Sequence, residues 1–274
     1  KEKTMKHTVE KGKTLLVDGP SSVTVLSGEA KVLGAPLKIG ERFVIREGKR
    51  IPLEVVEKST FDLVLGENAS FEEIDGSTIP SSWENVSEEL VSEGKLLIVM
   101  VVGDVDSGKT SFCTYLANKA LEKKLKVAVI DADLGQSDVG PPSTIGFSRI
   151  VTPVKDLFEV EAESAYFIGL TSPSGVIDGW VNGEEAAAYK IKLIEKIAPD
   201  IVVGIQYENE LAPILSALKE RKVFSVNSPS VIRARDREKR KILRELSYKK
   251  YLKDAKIQSF PLNWINVEGA FFKT

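Results

Sequence analysis

An apolar run from Leu96 to Val102 is followed by Gly103-Asp104-Val105-Asp106-Ser107-Gly108-Lys109-Thr110, and then by a helical pattern from Ser111 to Leu121. No other stretch of the chain limits the fold as strongly. Glycines in a tight loop between a strand and a helix let successive backbone N–H groups point inward and cradle phosphate. The helix N-terminus adds about half a positive charge. The spacing G-x-x-x-x-G-K-[ST] therefore asks for strand, loop and helix in that order. It predicts a nucleoside triphosphate, with Lys109 reaching the β- and γ-phosphates and the Thr110 hydroxyl on Mg2+. Gly103, Asp104, Val105, Asp106, Ser107, Gly108, Lys109, Thr110 and Ser111 are the expected nucleotide-binding residues.

From Lys95 onward strands alternate with helices. Strands are expected at 96–102, 126–132, 165–170, 200–206 and 222–226, and helices at 109–124, 184–197, 208–220 and 236–252. This pattern predicts an α/β fold over 94–256: a P-loop NTPase with a doubly wound, mostly parallel sheet covered by helices on both faces. Residues 13–68 instead read as short β runs separated by turns such as Asp18-Gly19-Pro20 and Ser27-Gly28. A small all-β N-terminal domain, sandwich-like, is thus expected over 1–68. Residues 69–93 are acidic and polar and read as a linker with one helix near Trp83–Glu93. Residues 257–274 read as extended or irregular, a candidate remnant of a further β domain.

Composition narrows the chemistry. The chain has 274 residues, one cysteine (Cys113) and one histidine (His7). These counts exclude a disulfide framework and a multi-cysteine zinc site within the chain. A histidine-based triad is equally disfavoured, so the expected general base is a carboxylate. Apolar runs are short, so no membrane association is expected, and an intracellular protein is anticipated. The net charge of −2 announces no global basic field, so any polyanion footprint must be local.

Four later motifs carry chemistry. Asp131-Ala132-Asp133 ends the strand at 126–132, where open α/β sheets bind their ligands. One carboxylate can hold Mg2+ and the other can accept a proton from a hydroxyl. The Asn-Lys-x-Asp signature of guanine recognition is missing after the later strands, which favours adenine. Gly169-Leu170-Thr171-Ser172-Pro173 is a hydroxyl-rich loop, suited to phosphate or ribose, or simply a turn. Gly179-Trp180-Val181-Asn182-Gly183 sets a tryptophan between glycines, either as core or as a stacking platform for a nucleic-acid base. Finally, 233–256 carries eleven cations against four acids in a chain whose total is −2. Arg233 and Arg237 share a helical face there and suit a γ-phosphoryl clamp.

Together, Gly103–Thr110, Asp131–Gln136, Gly169–Pro173, Gly179–Gly183 and Arg233–Arg237 resemble, in order, the polynucleotide 5′-hydroxyl kinase family. That family includes archaeal polynucleotide kinases, the ATP-binding subunit of the mRNA 3′-end cleavage factor and pre-ribosomal-RNA-processing kinases. The resemblance implies transfer of the γ-phosphate of ATP, with Mg2+, to a 5′-hydroxyl end of RNA or DNA. It implies Lys109, Asp133 (general base), Arg233 and Arg237 (arginine lid) as catalytic residues. It implies Gln136, Thr171 and Trp180 at the acceptor, and Thr110 with Asp131 at the metal. Arg235 or Arg240 can replace one lid arginine, and the N-terminal domain is expected to help hold adenine. Other RNA-processing proteins are candidate partners. Two departures stand out. The first is in the middle of the chain: Pro173 and Gly179 are only six apart, where the family has a helix and a strand, and the family's Asn shortly after the Thr of the first loop is absent. The second is at the C-terminus, where the family carries a further β-rich domain and this sequence runs about twenty residues past the basic helix. The alternative reading is an ATP-holding scaffold of an RNA-processing complex. A small-molecule kinase or metallochaperone-type GTPase is opposed by Trp180 and the basic segment.

Overall fold

The computed structural model describes residues 3–171, 184–261 and 264. The N-terminal part is a seven-stranded antiparallel sheet: β1 (Lys3–Val9), β2 (Lys13–Asp18), β3 (Ser21–Val32), β4 (Ala35–Leu37), β5 (Arg42–Ile45), β6 (Arg50–Leu65) and β7 (Phe71–Asp75). β6 is the organiser: it pairs with β3 on one side and with β2 and then β1 on the other. Its odd-numbered residues Ile51, Leu53, Val55, Phe61, Leu63 and Leu65 are buried, the period-two pattern of a half-buried strand. β3 stays continuous past Gly28, at φ +88°, through a bulge. A side chain at Gly28 would collide with the Lys58 carbonyl and Ser59, so the turn expected at Ser27-Gly28 is a bulge inside one long strand.

The segment expected as a linker with one helix contains that helix and, in addition, a strand. β7 pairs with β2 at the sheet edge. Helix α1 (Ser81–Ser92) buries Trp83, Val86, Ser87, Leu90 and Val91, one helical stripe.

In the α/β part the expected mostly parallel sheet is divided into two ladders among the described residues. β8 (Val99–Gly103), β12 (Ile201–Gln206) and β13 (Lys222–Asn227) are parallel, in the order β13-β12-β8. β9 (Val127–Asp131) and β11 (Ser164–Phe167) do not join that ladder among the described residues. They flank β10 (Thr144–Ile150) in an antiparallel three-stranded ladder. β10 was not expected; its inward residues include Thr144, Gly146 and Ser148, small or polar residues that read as loop.

Helices cover both faces of the parallel ladder. On one side Ile201, Val203 and Ile205 pack with Trp83 of α1 and Phe112 of α2 (Lys109–Glu122), in a core continuous with the β unit. On the other, Val102 and Val202 pack with Ile194 of α3 (Glu184–Ile197) and Ile214 of α4 (Ala212–Ala217). Asn118 of α2 is buried and bonds the Leu33 carbonyl and both polar groups of Val154. α5 (Arg237–Tyr251) starts at Asp236, whose carboxylate accepts from the Lys239 N–H at 2.8 Å. No described helix is long and apolar enough to cross a membrane.

Candidate functional site

The phosphate-loop motif folds as its spacing demands, between β8 and α2. Asp106 (φ +58°) and Gly108 (φ +99°) are both left-handed. At Gly108 a Cβ would also lie 2.7 Å from Ile232. These two residues turn the loop so that α2 begins at Lys109 with its first N–H groups free. The loop is braced from behind: Tyr207 donates its hydroxyl to the Asp106 carbonyl at 3.0 Å, and Ser228 donates to the Ser107 carbonyl at 2.9 Å. The buried Ser107 hydroxyl has no partner among the described residues. Lys109 Nζ lies across the loop, donating to the Gly103 and Asp104 carbonyls at 3.1 and 2.6 Å. Burial lowers the Lys109 pKa, and the Lys190 charge adds to this; Asp133, Asp104 and Asp106 oppose it.

Asp131 and Asp133 divide their work. Asp131 Oδ1 accepts from Asp133 N–H at 3.0 Å, and Oδ2 accepts from the Asp138 and Val139 N–H groups at 2.7 and 3.1 Å. Desolvation pushes the Asp131 carboxyl up to about 6, despite these bonds. Asp133 is exposed, and its Oδ1 accepts from the Gly135 and Gln136 N–H groups at 3.1 and 2.9 Å. The Gln136 amide donates to the Arg240 carbonyl at 2.9 Å, while its Oε1 is buried and unpartnered. Thr171 lies against this turn, since a Cβ at Gly135 would meet its carbonyl at 2.8 Å.

The arginine segment closes over the loop through Asp106. The Asp106 carboxylate accepts from the Arg235 backbone N–H at 2.8 Å and from Arg240 Nη2 at 3.0 Å; Arg235 Nη1 is 3.5 Å away. Arg233 faces the β unit instead, 3.7 Å from Asp18 and 3.9 Å from Glu72. Arg237 is exposed on α5. Arg235 and Arg240, the two alternatives to the expected pair, are thus the arginines brought to the loop. A cavity of about 240 Å³ opens between the β unit, α1, the loop and the arginine segment, lined among others by Leu16, Pro52, Ile79, Trp83, Ser111 and Ile232.

This arrangement fits a triphosphate: free N–H groups, an unpartnered buried hydroxyl, Lys109 and two arginines converge. For Mg2+ the fit is narrower. Thr110 is exposed at the start of α2, and no cluster of three metal-ligating side chains occurs among the described residues. That suits an ion held largely by phosphate and water. The Asp131 oxygens are already engaged by three backbone donors. Trp180 lies outside the described residues. Sequence reasoning missed Lys190 and Tyr207, which lie far along the chain and carry no motif, and the role of Asp106 as partner of the arginines.

The family described as mRNA cleavage and polyadenylation factor CLP1 P-loop matches residues 103–178 and 176–254. A polyribonucleotide 5′-hydroxyl-kinase of Pyrococcus furiosus is 30% identical over 216 residues, covering 70% of this chain and 60% of that protein. Another, from Methanocaldococcus jannaschii, is 32% identical over 201 residues, covering 64% and 55%. A CLP1 homolog of Culex quinquefasciatus is 26% identical over 163 residues, covering 56% and 38%. The chain thus spans 60% or less of the length of these curated relatives. A chain of the wild-type Clp1p–Pcf11p complex shares the fold, with a TM-score of 0.74 at 16% identity over 91% of this chain and 73% of that one.

Proposed function

Because this chain belongs to the mRNA cleavage and polyadenylation factor CLP1 P-loop family, we propose that it is an ATP-dependent polynucleotide 5′-hydroxyl kinase acting in RNA processing. The observation that carries the reading is the convergence on one phosphate loop of Lys109, Arg235 and Arg240, with the exposed carboxylate of Asp133 close enough for its charge to act on Lys109. A hydroxyl acceptor needs a base, and a transferring phosphoryl group needs clustered cations.

In this reading the loop N–H groups, Lys109 and the Ser107 hydroxyl hold the β- and γ-phosphates. Arg235 and Arg240 turn from Asp106 to the γ-phosphate. Asp133 takes the proton of the 5′-hydroxyl as its oxygen attacks phosphorus and ADP leaves. Mg2+, when bound, neutralises phosphate charge, with the Thr110 hydroxyl as its protein oxygen; Asp131 holds the turn that carries Asp133. The cavity beside Trp83 receives the adenine. Gln136, Thr171 and Trp180 serve the acceptor, and the lysines of α5 follow the polynucleotide backbone. RNA-processing proteins are the expected partners.

One observation favours the scaffold reading: Lys109 is bonded to the loop's own carbonyls rather than turned to the ligand side. Incubation with γ-labelled ATP, Mg2+ and a short oligonucleotide bearing a 5′-hydroxyl separates the two. Label on the oligonucleotide is the expected result. Tight ATP binding with no transfer would replace the kinase by the scaffold.

A further inference from the structure

We propose that Arg46 and Lys49, between β5 and β6 of the β unit, are positioning residues for Asp133. The catalytic half of this inference rests on the kinase reading; the structural half does not. Arg46 Nη2 donates to Asp138 Oδ1 at 2.9 Å and to Asp156 Oδ2 at 2.7 Å, and Lys49 Nζ donates to Asp138 Oδ2 at 3.0 Å. The Asp138 side chain is only 7% exposed. Its own backbone N–H and that of Val139 donate to Asp131 Oδ2, and Asp131 Oδ1 in turn receives the Asp133 N–H. Three consecutive hydrogen-bonded links therefore join Arg46 to the residue that carries the exposed carboxylate, all through one short turn.

The surroundings make the anchor rigid. The Arg46 guanidinium stacks 3.7 Å above the Phe158 ring. Burial pushes the Asp156 carboxyl up, but the Lys49 and Arg46 charges and the Phe158 N–H overcome it and hold the group well below the usual carboxylate range. α5 closes the far side: Tyr251 accepts from the Gly140 N–H at 2.8 Å, and Lys250 donates to the Phe158 and Val160 carbonyls at 2.7 Å each. Two cations face two carboxylates in this buried cluster. Removing a cation leaves a buried carboxylate underpaired, and Asp138 then gains by moving toward water. The turn that presents Asp133 moves with it. The β unit thereby acts on the chemistry as well as on the nucleotide cavity.

The test uses the full chain and two readouts. Backbone hydrogen exchange is followed at Asp138 and Val139, with Leu53 and Leu63 of β6 as references, and kcat and the ATP KM are measured for 5′-phosphate transfer. In Arg46→Met, exchange at Asp138 and Val139 is expected to quicken about tenfold with β6 unchanged. kcat is expected to fall by about tenfold to a hundredfold, as for other supporting residues, with a far smaller change in the ATP KM. Arg46→Lys should recover much of both. Where Arg46→Met does not fold, Lys49→Met carries the same readouts with both Arg46 bonds retained. Unchanged exchange at Asp138 and Val139 in a folded variant overturns the proposal. So does unchanged kcat despite faster exchange, and so does parallel loosening of β6, which marks a mere staple. If wild-type protein transfers no phosphate, the kinase reading alone has failed, and the exchange data still decide the anchoring.

Discussion

Two carboxylates separated by one residue have opposite environments, and each makes its own prediction. Asp133 is exposed and its charge acts on Lys109, as the proposed base requires. Asp133→Asn keeps the shape and removes proton acceptance, so kcat should fall by about a hundredfold or more while ATP affinity stays within about threefold. Survival of transfer in that variant would move the base to another residue. Asp131 is half-buried, and desolvation raises its folded pKa from 3.8 to about 6. A raised carboxyl pKa means the folded state holds the proton more tightly, so its contribution is most favourable below pH 4 and is lost as pH rises through 6. Some two units correspond to on the order of 3 kcal/mol. Urea unfolding in EDTA at pH 4 to 7 should show wild type losing stability relative to Asp131→Asn over that window; a pH-independent difference would refute the assignment. Asp156, held to about 2 by Lys49 and Arg46 against desolvation, works oppositely. Its stabilisation is present above pH 4 and fades as pH falls toward 2. The D-x-D pattern at a strand end was legible in the sequence. The division between the two was not, because it depends on Asp138 and Val139 folding back over Asp131.

At the scale of elements, the strand–loop–helix was the most legible feature because its spacing is set by backbone geometry. Gly108 must be left-handed and must clear Ile232, and only glycine meets both conditions cheaply. Gly108→Ala should therefore weaken ATP binding by at least about tenfold, with little change in global stability beyond the roughly 1–2 kcal/mol of a left-handed alanine. Isothermal titration paired with a urea melt reads the two apart, and retained affinity would count against a phosphate site here. β10 escaped notice because its inward side is Thr144, Gly146 and Ser148 rather than aliphatic. β7 escaped because Glu72, Glu73 and Asp75 look like linker composition, yet at a sheet edge Glu72 and Asp75 reach water while Glu73 pairs with His7. The arginine pair was shifted for a related reason. Sequence periodicity selects residues sharing a helical face, but Arg233 and Arg235 precede the first turn of α5. The irregular chain before Asp236 sends Arg233 to Asp18 and Arg235 to Asp106.

For the whole molecule, the sequence suggested a β domain and an α/β domain joined by a linker, and the packing argues for one cooperative unit. Trp83 sits in the supposed linker. It is fully buried, stacks edge-on to Phe112 at 5.2 Å and donates its indole N–H to the Asn227 carbonyl at 2.8 Å. The same core runs from Leu53 and Phe61 of the β unit to Ile201 and Ile205 of the parallel ladder. Asn118 adds a buried polar joint between α2 and the β3–β4 turn. Separable domains meet across modest, polar interfaces; a shared aromatic core makes unfolding of either part expose the other. Far-UV circular dichroism, dominated by both parts, and tryptophan fluorescence, which includes Trp83 at their junction, should therefore follow one coincident urea transition. Trp83→Ala should lower its midpoint by the equivalent of about 3–5 kcal/mol and weaken ATP binding, because the same ring lines the cavity beside the phosphate loop. Two separated transitions in wild type would mean that the β unit stands alone. Its leverage on Asp133 through Arg46 and Lys49 would then have to survive without a common core, which a chain of hydrogen bonds at one edge is too small to guarantee.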